Sequence, residues 1–187
     1  MAEATGLPAL IYDRYGYGES EVLQEPRRTT QYIHDEALIA LPELLERLEI
    51  QRPILIGLSD GASIALIYAG AGNAVRGLIV MAPHVFIEDI SIAYIERAVH
   101  TFEQTDFAAR FGRYHRDPRK TFYGWADIWL DPDFKRWDIR GNFLPEIHAP
   151  VLAIQGFDDE CGTMAQVDEI HAHNAALGCF LARIERR

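Results

Sequence analysis

Apolar positions along the chain follow two rhythms. Short unbroken runs occur at residues 7–13 (LPALIYD), 52–58 (RPILIGL) and 75–85 (VRGLIVMAPHV), each bounded by polar or turn-forming residues. Runs of this length rich in branched side chains predict strands buried on both faces. Between them the spacing changes to three and four. Residues 29–50 (TTQYIHDEALIALPELLERLEI) predict an amphipathic helix opened by a threonine cap and kinked at Pro42, and residues 60–73 (DGASIALIYAGAGN) a second helix ending near Gly70, Gly72 and Asn73. The order is strand, helix, strand, helix, strand.

Strands of this kind alternating with helices predict an α/β fold, a mostly parallel sheet with helices on both faces. From residue 87 the rhythm is lost. Residues 87–147 read as helices and turns rich in aromatic side chains, with no run resembling a central strand, and predict an inserted helical cap. The sheet returns at residues 149–160 (APVLAIQGFDDE), a helix follows over 163–177, and 179–185 (CFLARIE) is a weak last strand. The expected division is therefore 1–86 and 148–187 for the core, with 87–147 as the cap.

Composition narrows the partners. The 187 residues are 49% hydrophobic and 25% charged, enough for one substantial core, and the formal net charge is −10 with Lys and Arg dispersed. Neither a nucleic acid nor an anionic membrane surface is expected to bind such a chain; a small-molecule substrate is. No run approaches the roughly 20 apolar residues of a membrane span. Two cysteines, Cys161 and Cys179, suggest neither a disulfide framework nor a zinc site, so a cytoplasmic protein without metal or cofactor is expected.

The candidate chemistry lies where the second strand meets its helix. Gly57-Leu58-Ser59-Asp60-Gly61 fits the Gly-x-Ser-x-Gly elbow, in which a serine at a strand end holds an unfavourable backbone angle and small neighbours relieve crowding between strand and helix. With DRYGYGES at residues 13–20 and IQGFDDE at 154–160, in that order, the chain resembles the α/β-hydrolase fold family over nearly its whole length. The resemblance implies a nucleophilic Ser59, an oxyanion donor in the Asp60 backbone N–H, and an acid in the Gly-x-x-Asp turn. Counting from Gly156 gives Asp159, with Asp158 as the alternative if the turn is shifted by one residue. A glycine-spaced dinucleotide fingerprint is absent from both strand ends.

The family's base is a histidine in a loop after the last strand, and no Gly-His of that kind is present. His84, at the end of the third predicted strand, is expected in the pocket wall and is a minority candidate for the base. His171 and His173, in the last predicted helix, are weaker candidates. His34, His100, His115 and His148 carry no motif. The family's opening strands and His-Gly loop are also missing, so a truncated chain is expected, or one frameshifted after about Gln166. Exposed sheet edges, with oligomers or aggregation, should follow.

The resemblance therefore implies a serine hydrolase acting on an ester or related acyl bond. The alternative is a noncatalytic relic or interaction module. Of the cap aromatics Phe122, Tyr123, Trp125, Trp129, Phe134 and Trp137, most are expected in the cap's own core, with Trp125 and Trp129 as candidates for the substrate pocket.

Overall fold

A computed structural model of the protein describes residues 2–24 and 27–174. After a single turn of helix, α1 (Ala2–Thr5), the described residues up to 31 form no regular element. A helix then forms in three parts, α2 (Tyr32–Asp35), a π-helical turn (Glu36–Ala40) and α3 (Leu41–Arg47). Pro42 accounts for the middle part. Its nitrogen has no hydrogen to donate and its ring crowds the carbonyl one turn back, so the turn before it widens and Leu41 donates to the Glu36 carbonyl.

The sheet has three parallel strands in chain order: β1 (Ile54–Leu58), β2 (Gly77–Met81) and β3 (Val151–Ile154). Helix α4 (Asp60–Gly70) connects the first two. Helices α5 (Asp89–Gln104), α6 (Phe107–Phe111) and α7 (Pro118–Trp129), then two 3₁₀ turns, lie between β2 and β3, and α8 (Ala165–His173) follows β3. Leu55, Leu78 and Val151 align across the sheet, as do Gly57, Val80 and Ala153. This face lies under α4, whose residues are buried on nearly every side because α2, the π turn and the 3₁₀ turn at Leu144–Glu146 cover it from above.

The opposite face is more open among the described residues. Ile54, Ile56 and Leu58 are 41%, 43% and 62% exposed, and Ile79, Met81, Leu152 and Ile154 are half-buried. The α/β class and the mostly parallel sheet stand.

The predicted strand at residues 7–13 is not formed. This segment joins no ladder, and Leu7, Leu10, Ile11 and Tyr12 are exposed. A strand's backbone groups need a neighbour, and the outer edge of β1 is unpaired among the described residues. The weak strand at 179–185, with Cys179, falls outside the described residues.

Candidate functional site

Ser59 sits between the end of β1 and the first turn of α4 with φ 52° and ψ −120°, a conformation that costs a non-glycine residue about 1–3 kcal/mol. Neighbours on both sides hold it there. Its N–H donates to the Met81 carbonyl on β2, and its own carbonyl accepts from the N–H groups of Ala62 and Ser63 in α4. The bend brings Gly57 against the helix: a Cβ there would lie 2.2 Å from the Gly61 oxygen. Gly61 itself faces open space, so the crowding that demands a small residue acts at Gly57 alone. The N–H groups of Asp60 and Gly61 have no acceptor among the described residues, which leaves donors beside Ser59 at a helix N-terminus.

The Asp60 side chain turns into the core and is 5% exposed. Its Oδ2 accepts from the Tyr32 hydroxyl at 2.8 Å, and that hydroxyl accepts in turn from Trp129 Nε1 at 2.8 Å. Arg14 approaches the same oxygen at 3.7 Å, while Oδ1 has no hydrogen-bond partner. Burial is the largest influence on Arg14 and would lower its pKa, but Asp60, Tyr17, Tyr32 and Glu36 together outweigh it and the net shift is upward. Burial and then Asp60 push the Tyr32 phenol well up, so it stays a protonated donor.

His84 stands on the loop after β2, 2% exposed, its ring 4.8 Å from that of Trp129 and nearly perpendicular to it. The loop is fastened by its backbone: the His84 carbonyl accepts from Ser63 Oγ, and the Val85 N–H donates to Gln166 Oε1. Burial lowers the His84 pKa, opposed by the nearby charges of Asp60, Asp159 and Glu88. Its Nε2 lies 3.9 Å from Cys161 Sγ and its Nδ1 has no partner. The Cys161 thiol is pushed up to about 12, chiefly by burial, so it is not a ready nucleophile.

The turn after β3 carries Asp159, whose N–H closes on the Gly156 carbonyl and whose Oδ1 accepts from the Cys161 N–H. Asp159 is half-buried and its charge acts on His84, Cys161 and Tyr94, whereas Asp158 is exposed. Glu88 braces this turn by accepting from the Thr163 N–H and hydroxyl and from Gln166 Nε2.

Ser59, Asp60, Asp159, His84 and Trp129 thus gather at the end of the sheet where β1, β2 and β3 finish. Ser59 Oγ makes no hydrogen bond to any described residue, and no histidine bonds Asp159. His171 is exposed on α8, and His173 Nδ1 lies 2.9 Å from the Glu169 carbonyl and 3.7 Å from the Glu169 carboxylate. His173 also lines an open depression of about 490 Å³ with Asp138, Arg140, Gly141, Asn142 and Glu169, none of them a residue of the gathered set. Trp125 packs near Phe122 at 5.8 Å, and Phe122 stacks on Phe102 at 4.0 Å, joining α7 to α5.

The sequence profile of the alpha/beta hydrolase family matches residues 2–176. The chain belongs to the alpha/beta hydrolase family. Among solved structures, an esterase from Exiguobacterium antarcticum superposes with a TM-score of 0.65 at 20% identity, covering 91% of this chain and 70% of its own. An enol-lactonase from Burkholderia xenovorans gives 0.64 at 18% identity, covering 91% and 70%. A thermophilic esterase from Thermogutta terrifontis gives 0.63 at 17%, covering 90% and 68%. A comparison with curated proteins finds no match. No helix among the described residues of this hydrolase-family chain is long and apolar enough to cross a membrane.

Arg14, Tyr32, Cys161, Glu88 and Gln166 join the site without having been singled out for it in the sequence. Arg14 lies inside the DRYGYGES block, which was a usable signal. Tyr32 reads only as one apolar position of a helix.

Proposed function

We propose that this alpha/beta hydrolase family chain is a serine hydrolase of small-molecule esters or related acyl compounds, with Ser59 as nucleophile. The strained φ of Ser59, held between β2 and α4 with Gly57 cleared for the helix, carries the reading. In this reading Ser59 Oγ attacks the acyl carbon, and the Asp60 N–H takes the oxyanion that develops. The alcohol departs as the acyl-enzyme forms, and water then releases the acid. Asp159 is the acid that orients the base, favoured over Asp158 by its partly buried position and its charge on His84. We assign no base among His84, His171 and His173: His84 lies within reach of the Asp159 charge, but it bonds neither Ser59 nor Asp159.

A neutral fluorophosphonate probe tests the reading. The purified chain is expected to be labelled, and Ser59→Ala to be silent. Failure of folded wild-type protein to label would overturn it. Parallel loss of labelling in a folded His84→Asn variant would assign the base to His84, and retained labelling would remove it from consideration.

A further inference from the structure

Two guanidinium groups close on one aromatic ring next to the nucleophile elbow. Arg14 lies over Tyr17 at 4.5 Å from the ring centre, and Arg28 over the same ring at 4.8 Å and over Tyr32 at 5.5 Å. Their hydrogen bonding is incomplete. Arg14 donates no hydrogen bond to any described residue; its approach to Asp60 Oδ2 is 3.7 Å, longer than a hydrogen bond, and that oxygen already accepts from Tyr32. Its side chain keeps 21% of its surface exposed. Arg28 donates through Nη2 to the Tyr15 carbonyl, but its Nε is buried without a partner, as is the Tyr17 hydroxyl.

The charges around the ring are uneven. Arg14 has one carboxylate within 4 Å, that of Asp60, and Arg28 has none among the described residues. Glu36 exerts the weakest of the charge effects on Arg14 and accepts a hydrogen bond from Tyr12. A planar guanidinium with open donors, held over an aromatic face, presents the fork that matches a carboxylate. Through Asp60 this fork is tied to the residue directly after Ser59.

We propose that Arg14, supported by Arg28 and Tyr17, forms a subsite for a substrate carboxylate, so that the preferred substrates are small esters bearing a second, free carboxylate. The proposal deepens the serine hydrolase reading and rests on it for the identity of the scissile bond. The opposite preference, for an ammonium group at the unpartnered Asp60 Oδ1, is disfavoured because Arg14 already occupies that carboxylate's surroundings.

Binding is measured on Ser59→Ala protein, where no turnover intervenes, by NMR titration of the arginine Nε–H signals. The probes are monomethyl succinate, neutral dimethyl succinate and cationic β-alanine methyl ester. Monomethyl succinate is expected to bind about tenfold more tightly than dimethyl succinate, the scale of a charge-assisted bidentate pair. The advantage should vanish in Arg14→Gln, fall in Arg14→Lys, and shrink as salt is raised.

Equal binding of the two succinates would overturn the proposal, as would an advantage that persists in a folded Arg14→Gln, or preferential binding of β-alanine methyl ester. If Arg14→Gln does not fold, the comparison passes to Arg14→Lys, which keeps the charge and loses the fork. Fluorophosphonate labelling of the wild-type chain is scored separately, so a failed hydrolase reading and a failed carboxylate subsite give different patterns.

Discussion

Gly57 and Gly61 flank Ser59 symmetrically in sequence and unequally in space. A methyl group at Gly57 meets the Gly61 carbonyl at 2.2 Å, backbone against backbone, so neither side yields without moving β1 or α4. Gly57→Ala is therefore expected to lower stability by about 2 kcal/mol or more in urea unfolding, toward the upper range for forced overpacking. Gly61→Ala puts its methyl into open space on a helical residue, where exchanging glycine for alanine is expected to be neutral or to stabilise by up to about 1 kcal/mol. Equal losses from the two would refute the account of the elbow. Tyr32→Phe should be among the costlier removals of a single oxygen. It strips Asp60 Oδ2 of its hydrogen bond and Trp129 Nε1 of its acceptor, both buried, for an expected loss of about 2–3 kcal/mol. Tyr123→Phe, which removes an exposed bond to Glu103, is the control and should stay within about 0.5 kcal/mol.

Between β2 and α5 the loop that carries His84 is held from three elements: Ser63 on α4, Gln166 on α8, and Trp129 on α7. This fastening predicts a pH response. His84 is buried and its pKa lies below the ordinary 6.5, so the unfolded chain binds a proton that the folded one refuses. Stability is then fully present above pH 6.5 and falls as pH drops from there through the folded-state value. Urea midpoints measured on both sides of pH 6.5 should show this decline, with His84→Asn removing part of it. His34 and His115 are shifted the same way and retain their share. A slope unchanged in His84→Asn would contradict the assignment.

Periodicity was enough to foresee β1, α4, β2, β3 and α8, because each buries a continuous face whose spacing is local. It was not enough for residues 7–13, where the apolar run is strand-like but a strand also requires a partner. Nor did it show the bonds from Tyr32 to Asp60 and from Trp129 to Tyr32, which join residues 28 and 97 positions apart. Ser59 was legible because a sharp strand-to-helix turn leaves a mark in five consecutive residues. The base was not, since a histidine's role is set by its neighbours in space, and among the described residues none bonds Ser59 or Asp159.

Among the described residues, the sheet has an open edge and an exposed apolar face at the same strand. Ile54, Ile56 and Leu58 point from β1 to one side and are exposed, while the backbone along its outer edge pairs with no described strand. Unpaired N–H and carbonyl groups beside exposed branched side chains form a template for another strand, and β1 carries no Lys, Pro or inward charge to oppose it. The occupant expected in a purified sample is β1 of a second copy, because two such edges satisfy one another about a two-fold axis. Light scattering coupled to size exclusion should report masses above the 21.2 kDa of one chain, increasing with concentration. Ile56→Lys places a charge in the middle of the exposed face and leaves the α4-facing residues Leu55 and Gly57 untouched, so it should return the protein toward a monomer without unfolding it. A wild-type chain that stays monomeric at high concentration, or an Ile56→Lys variant that associates as before, would show that β1 is not the adhesive edge.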